Sequence, residues 1–226
     1  MGSERKEERE PNIKQGRCTG YVVVKTGRFN KIAAIEGPGE LLAAELKAFL
    51  EPYFGGVLLI VGIGNDTLLH DSLGPMTTRR IPVSGLSKLK EYSPFHSVGM
   101  ISPGIAAQNN IPNLDVIRGV ARQIGASCVL LIDSMMTNEF NKMLTMVQIS
   151  SAGIWSLETY TKESIGLPVV GIAVPTVMQM EDELILKACI ETDMAAASKM
   201  IAYAILRVVY PELEPEDCIQ LTTPFL

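Results

Sequence analysis

The chain has few residues that bind metals or form redox centres. Its 226 residues include only two histidines, His70 and His96. The four cysteines lie far apart, at Cys18, Cys128, Cys189 and Cys218. Two histidines are too few for a His-rich metal site, and no CxxC pair or neighbouring histidine suggests zinc. We therefore expect reduced thiols, no bound metal and no cofactor.

Long hydrophobic runs and an excess of basic residues are also absent. Apolar runs such as 57–63 and 128–132 fall far below the roughly 18 residues that span a bilayer, so we interpret them as core strands. A net charge of −5 and a pI near 5.2 argue against a nucleic-acid surface. The charged run 4–10 has no apolar stretch behind it, which predicts no secretory signal. We expect a cytoplasmic protein with no nucleic-acid or membrane partner.

The composition is that of a globular protein, with 47% hydrophobic and 20% charged residues. Residues 1–12 combine like charges without apolar periodicity, which predicts a flexible tail or pro-segment before a single α/β domain at 13–226. Strands are predicted at 21–25 (an edge strand), 58–62, 97–101, 128–132, 143–149 and 169–174. Helices are predicted at 40–50, directly after the turn-forming residues 37–39, and from 181 to about 210. Two further helices are predicted to begin at Ser72 and at Asn113, which is expected to cap its helix. Alternating strands and helices predict a mainly parallel sheet covered on both faces.

Two aspartates follow predicted buried strands. Asp133 comes directly after 128–132, and Asp71 lies in the loop that leaves 58–62. Ligands of open α/β sheets bind beyond the carboxyl ends of the strands, so both side chains can face one crevice. Repulsion would then leave one carboxylate to activate water and one carboxylic acid to protonate a leaving group, which is a basis for hydrolysis. The structural alternative is that Asp71 caps the next helix and Asp133 fixes a loop at 134–138.

Other signals are weaker. Residues 62–65 (GIGN) follow a strand, but Thr67 stands where a dinucleotide-binding GxGxxG motif needs its third glycine. No serine lies in a GxSxG motif, which argues against serine catalysis. Four methionines cluster near Asp133, and we interpret them as core filling rather than an adaptable binding surface. They are Met135, Met136, Met143 and Met146.

Several stretches in the right order resemble the germination protease family of spore-forming bacteria. They span about 16–178 and comprise 61–65 (VGIGN), 71–75 (DSLGP), 103–105 (PGI), 116–120 (VIRGV), 132–134 (IDS), 147–150 (VQIS), 153–154 (GI), 167–169 (LPV) and 174–177 (VPTV). The resemblance implies a three-layer α/β/α sandwich with a mainly parallel sheet, similar to hydrogenase maturation peptidases and to the phosphorylase/hydrolase-like fold.

The resemblance also implies a function. The family degrades small acid-soluble spore proteins during germination, and its two essential aspartates fall on Asp71 and Asp133. Supporting or substrate-binding residues are expected at the same motifs, at Asn65, His70, Ser72, Gly104 and Ser134. The family is made as a precursor processed near its N-terminus and assembles as a homotetramer. We therefore expect a homo-oligomeric aspartate-dependent endopeptidase of the forespore or spore core.

The chain departs from the family pattern in three places. A basic, glycine-rich insertion expected after 153–154 is missing, residues 106–110 replace further glycines after Gly104, and the region after Val177 is shorter. Two alternatives follow. One is a non-catalytic relative that binds a sporulation partner. The other is a metal-dependent processing peptidase whose site is completed by His70, His96 or water.

Overall fold

The computed structural model describes residues 13–16, 21–27, 29, 36–82, 92–104, 111–155, 159–178 and 191–223. The strands are β1 (Ile13–Gly16), β2 (Tyr21–Lys25), β3 (Val57–Ile63), β4 (Ser97–Gly104), β5 (Cys128–Thr137), β6 (Met146–Ser150), β7 (Ile154–Trp155), β8 (Thr159–Tyr160) and β9 (Val169–Met178). The helices are α1 (Glu36–Leu50), α2 (Leu73–Arg79), α3 (Asn113–Ile124), α4 (Lys162–Ile165), α5 (Glu191–Val209) and α6 (Pro215–Leu221). Short 3₁₀ turns lie at Glu51–Tyr53, Leu69–Asp71 and Phe140–Lys142. The tail predicted at 1–12 and the helix start at 181 lie outside the described residues.

Seven strands form one sheet in the order β1-β2-β6-β9-β5-β3-β4. The strands β4, β3, β5 and β9 run parallel, whereas β6, β2 and β1 add antiparallel pairings on one side. The buried apolar runs of β3 and β5 are what a strand covered on both faces requires. Parallel strands bring their carboxyl ends to one edge of the sheet, and this edge carries the predicted site.

The sheet lies between two layers of helices, which confirms the predicted α/β/α sandwich. The first face packs against α1, α2, α5 and α6 through alternate strand residues such as Ile132 and Ile172. The second face packs against α3, α4 and the β7–β8 hairpin through Leu131 and Val169. Because side chains alternate along a strand, each buried strand supplies both cores.

The second layer covers only part of its face. Its buried side chains come from β3, β5, the beginning of β9, α3, α4 and the hairpin. The outward residues of β2 and β6, including Val23 and Gln148, have no helix over them in the described part of the chain and line a groove instead. This open half of the sheet adjoins the parallel half.

The first helix begins earlier than predicted. Gly37, Pro38 and Gly39 lie in the first turn of α1 rather than before it. Proline is tolerated there because a first-turn N–H has no intrahelical partner. A Cβ on Gly39 would lie 2.6 Å from Cδ1 of Tyr203, so the glycine lets α1 approach α5 closely.

Several strand boundaries also differ from the prediction. The strand β2 is not at the sheet edge, since β1 pairs with its outer side. β5 and β9 continue to Thr137 and Met178, beyond the apolar runs, because they pair with each other along that extension. β6 begins at Met146 rather than at 143, after a 3₁₀ turn and the left-handed Leu144 (φ 52°).

Candidate functional site

The predicted site residues lie where β3, β4 and β5 approach one edge of the sheet. Asp71 ends the turn Leu69–Asp71, which follows β3 and contacts β5 and β9. Asp133 lies in β5, one residue beyond Ile132, whose register partner on β3 is Gly62. Gly104 ends β4 beside Ile63. The structure therefore brings Asp71, Asp133 and Gly104 to the same edge.

Glycines bring the segment around Asp71 onto the strand ends. A Cβ on Gly74, in α2, would lie 2.3 Å from the oxygen of Ile63 and 2.6 Å from the oxygen of Ile132. A Cβ on Gly64 (φ +124°) would lie 2.0 Å from the carbonyl oxygen of Asp71. Only glycine fits these positions without a shift of backbone, so α2 sits directly on the ends of β3 and β5.

The carboxylate of Asp71 accepts a hydrogen bond from the backbone N–H of Asn65 at 2.9 Å. Ser72, not Asp71, is the N-cap residue of α2, and no side chain caps that helix. The proposed capping role of Asp71 is therefore wrong. Burial raises the pKa of Asp71, and it outweighs the Asn65 hydrogen bond and the charge of His70, which both lower it. Asp71 thus holds its proton more tightly than an exposed aspartate.

Asp133 is buried, with 1% of its surface exposed. Its Oδ1 accepts a hydrogen bond from the N–H of Ser134 at 2.7 Å, and its register partner is Ala173 of β9. Residues 134–137 belong to β5 rather than to a loop, so the alternative role of Asp133 in fixing a loop at 134–138 is also wrong. Strand pairing, which the local sequence does not show, places Asp133 inside the sheet.

Thr176 is a residue near the site that the sequence analysis did not single out. Its hydroxyl is buried and donates a hydrogen bond of 2.7 Å to the carbonyl of His70. This bond ties β9 to the turn that carries Asp71. The motif VPTV at 174–177 contains Thr176 and could have indicated its role. The motif DSLGP at 71–75 could have indicated the role of Gly74 in the same way.

The other predicted supporting residues have distinct surroundings. The side-chain oxygen of Asn65 accepts from the N–H and hydroxyl of Thr67, so it shapes the loop. The hydroxyl of Ser72 donates to the carbonyl of Leu69 at 2.8 Å. The hydroxyl oxygen of Ser134 is buried and makes no hydrogen bond within the described chain. Gly104 has φ +77°, and its carbonyl accepts from Asn113 Nδ2 at 3.0 Å, so Asn113 is not the cap that the sequence predicted.

The two histidines lie at different ends of the sheet. His70 adjoins Asp71, whereas His96 directly precedes β4, whose eight residues separate it from the site edge by about 25 Å. Within the described ranges, no three His, Cys, Asp or Glu side chains come together in a geometry suited to a metal ion. Cys128 and Cys218 are free and buried.

The methionines do not share one role. Met143 is 1% exposed and fills the core as expected. Met136, in contrast, is 54% exposed, and Met135, Met136 and Met146 line a cavity of about 370 Å³ beyond Asp133. Core filling is therefore the wrong interpretation for Met135 and Met136, because the extension of β5 carries them past the packed layers, whereas Met146 is only 7% exposed and fills the core as expected.

The fold and the site define an α/β/α-layered protein with a candidate aspartate site at the carboxyl edge of its sheet. The chain belongs to the germination protease family, whose model matches residues 14–187. This membership confirms the resemblance inferred from the sequence motifs.

The relatives match only part of their own length. The chain is 33% identical over 134 residues to the germination protease of Caldanaerobacter subterraneus, covering 54% of this chain and 41% of that one. It is 32% identical over 152 residues to the germination protease of Bacillus subtilis, covering 61% and 41%. The chain spans about two fifths of the length of the curated relatives it matches.

Among solved structures, a [NiFe] hydrogenase maturation protease, HycI of Thermococcus kodakarensis, overlaps 73% of this chain and 98% of its own. The TM-score is 0.43 and the sequence identity 15%, a likeness that says nothing about function. None of the helices in the described segments is long and apolar enough to cross a membrane.

Proposed function

We propose that this protein is an endopeptidase in which Asp71 and Asp133 together activate water against a peptide carbonyl. The supporting observation is the close packing of Gly74 on Ile63 and Ile132, which holds the Asp71 turn beside the β5 segment that carries Asp133. Family membership supports the activity, since the matched relatives are named germination proteases.

The proposed chemistry divides two tasks between two carboxyl groups. One carboxylate accepts a proton from water as its oxygen attacks the carbonyl carbon, and one carboxylic acid donates a proton to the leaving amine. Asp71 is only partly buried and has a raised pKa, whereas Asp133 is 1% exposed. Different surroundings of this kind separate the acid and base roles in carboxylate pairs. The protons belong to the pair as a unit, so neither role is assigned to one residue.

The family resemblance supports a proposal for the substrate, location and assembly. We propose small acid-soluble spore proteins as substrates, the forespore or spore core as the location, and a homo-oligomer, by family analogy a tetramer, as the working form. Residues 1–12 serve in this proposal as a pro-segment whose removal activates the enzyme. Asn65, His70, Ser72, Gly104 and Ser134 are proposed to support the pair or the bound peptide.

The test is cleavage of a purified small acid-soluble spore protein, followed by mass spectrometry. The chain would be assayed as wild type, Asp71→Asn and Asp133→Asn, each with its N-terminus intact and trimmed. We expect loss of at least about a hundredfold in both variants. Asp66→Asn is the matched control, because Asp66 lies in the same loop but is exposed and pairs with Arg79. Full activity in either aspartate variant would contradict the proposal.

A second candidate function is a non-catalytic relative that binds a sporulation partner. The observation that favours it lies inside the chain, since the basic, glycine-rich insertion expected from the resemblance after 153–154 is missing. A wild type that is inert in every form but still binds the spore protein would support this function. The same assay distinguishes a metal-dependent peptidase from an aspartate-pair peptidase. A chelator such as EDTA would abolish cleavage by the first and leave cleavage by the second unchanged.

A further inference from the structure

A continuous depression follows the open half of the sheet. A groove of about 830 Å³ runs along β2 and β6 on the second face. A cavity of about 370 Å³ adjoins it at the ends of β5 and β9. The two share Lys142, Met146 and Gln148, and together they are called the sheet groove.

The floor of the sheet groove leads to Asp133 along one row of paired residues. Asp133 pairs with Ala173, Ala173 with Gln148, and Gln148 with Val23. Residues next to these four along each strand, such as Ile132, belong to the first core. The side chains of the four paired residues therefore face the groove on the other side of the sheet. With neighbouring strands about 4.8 Å apart, Val23 lies about 14 Å from Asp133.

The side chains of the sheet groove suit a polypeptide with apolar and acidic residues. Its end nearest Asp133 is lined by Met135 and Met136, flexible side chains that adapt to varied apolar partners. At the far end, Lys25 is exposed and has no carboxylate partner in the described ranges. The ammonium group of Lys142, in contrast, pairs with Glu139. Among the described residues, the positive charge of Lys25 is therefore left for a ligand.

The exposed apolar residues agree with this position. The large apolar side chains that remain most exposed in the described chain are Leu68, Leu69, Tyr92, Ile111, Met136 and Phe140. Of these, Leu68 and Leu69 precede Asp71 within three residues, and Met136 and Phe140 follow Asp133 within seven residues. Apolar surface is therefore concentrated on the segments that carry the two aspartates, where a substrate chain would cover it.

We propose that the sheet groove binds the substrate as an extended polypeptide that places apolar side chains on the methionines and an acidic side chain on Lys25. This inference rests on the proposed endopeptidase function and adds its specificity. At about 3.3 Å per extended residue, the acidic residue lies roughly four or five positions from the cleaved bond. Ala173 and Asp133 are 7% and 1% exposed, so the open part of this row ends at Gln148, about 10 Å from Asp133.

The binding test uses fluorescein-labelled β-casein, an acidic and unstructured polypeptide, and measures its anisotropy with the full chain carrying Asp133→Asn. Binding is then followed without cleavage. In that background, Lys25→Glu should weaken binding about threefold or more. Gln148→Trp, which fills the floor of the groove, should weaken it at least tenfold. The matched controls on the opposite face are Lys47→Glu and Ala44→Trp, both at exposed positions of α1.

Unchanged binding by Lys25→Glu and Gln148→Trp, or equal losses in the α1 controls, would overturn the inference, as would no measurable binding of β-casein. The proposed function would fail with a different result. In that case the groove variants would still lose binding of β-casein, but the chain with both aspartates would cleave no substrate. If cleavage occurs, mass spectrometry of the casein products should show acidic residues enriched four or five positions from the cut. Lys25→Glu should remove that enrichment and raise KM more than it lowers kcat.

Discussion

Asp71 is partly buried, in surroundings that are unfavourable for its negative charge. Burial raises its pKa although the Asn65 N–H and the charge of His70 both favour ionisation. The folded chain therefore binds the proton of Asp71 more tightly than the unfolded chain does. Ionised Asp71 costs stability above its ordinary pKa, and this cost is what a catalytic carboxyl group often carries.

Asp71→Asn should therefore stabilise the fold at pH 7, and the gain should shrink as the pH is lowered toward 4, where Asp71 is increasingly protonated in both states. The amide oxygen still accepts the Asn65 hydrogen bond. Thermal melts at both pH values, followed by circular dichroism, measure the effect. A variant that is less stable than wild type at pH 7 would show that Asp71 is structurally required.

His70 tunes the same group. Because its charge lowers the pKa of Asp71, His70→Ala should move the limb of the pH–rate profile that reports Asp71 to higher pH. His96→Ala is the control, since His96 lies at the other end of β4. An unshifted profile in His70→Ala would mean that Asp71 does not govern that limb.

At the scale of elements, the contact of α2 with the ends of β3 and β5 positions the site. Gly74 makes this contact possible, because its Cα faces the backbone of Ile63 and Ile132. Arg80, just after α2, donates to Ser198 of α5 and to the carbonyl of Thr222. Gly74 thus packs α2 against the strands, and the hydrogen bonds of Arg80 hold the C-terminal end of α2 against α5.

Gly74→Ala should lower the free energy of unfolding by about 1–3 kcal/mol and reduce activity, since its methyl group would meet backbone atoms that cannot move independently. Urea titration measures the first effect. Gly119→Ala is the matched change in α3, where a Cβ meets nothing within 4 Å, and it should stabilise by about 0.5–1 kcal/mol. Equal stability of Gly74→Ala and wild type would contradict the packing argument.

At the scale of the whole molecule, the first core packs the sheet against α1, α2, α5 and α6. Cys128 lies in β5 and Cys218 in α6, and both belong to this core. Burial raises the pKa of Cys128 to about 12 and that of Cys218 to about 11. Thiolates are the reactive form, so both thiols are protected while the core is intact.

Iodoacetamide at pH 8 should therefore leave Cys128 and Cys218 unmodified in the native chain and alkylate both in urea. Mass spectrometry of the two tryptic peptides reports each site separately. Rapid native alkylation of either cysteine would show that the core opens near that residue.

The sequence predicted the layers better than it predicted the site. Apolar runs identify β3 and the beginning of β5, because burial on both faces demands them. Asp133 and Ser134 interrupt the run of β5, so its extension depends on pairing with β9, which no local pattern shows. The sheet groove was not predicted, because it depends on which strands the second layer leaves uncovered.

The central claim is that Asp71 and Asp133 act as one catalytic unit, and a double-variant comparison tests it most directly. Cleavage of a small acid-soluble spore protein would be measured for wild type, Asp71→Asn, Asp133→Asn and the combined variant. We predict a loss of at least about a hundredfold for each single change and no further loss on combining them, as for residues that work together. Independent losses that multiply in the double variant, or a single variant that retains activity, would contradict the account.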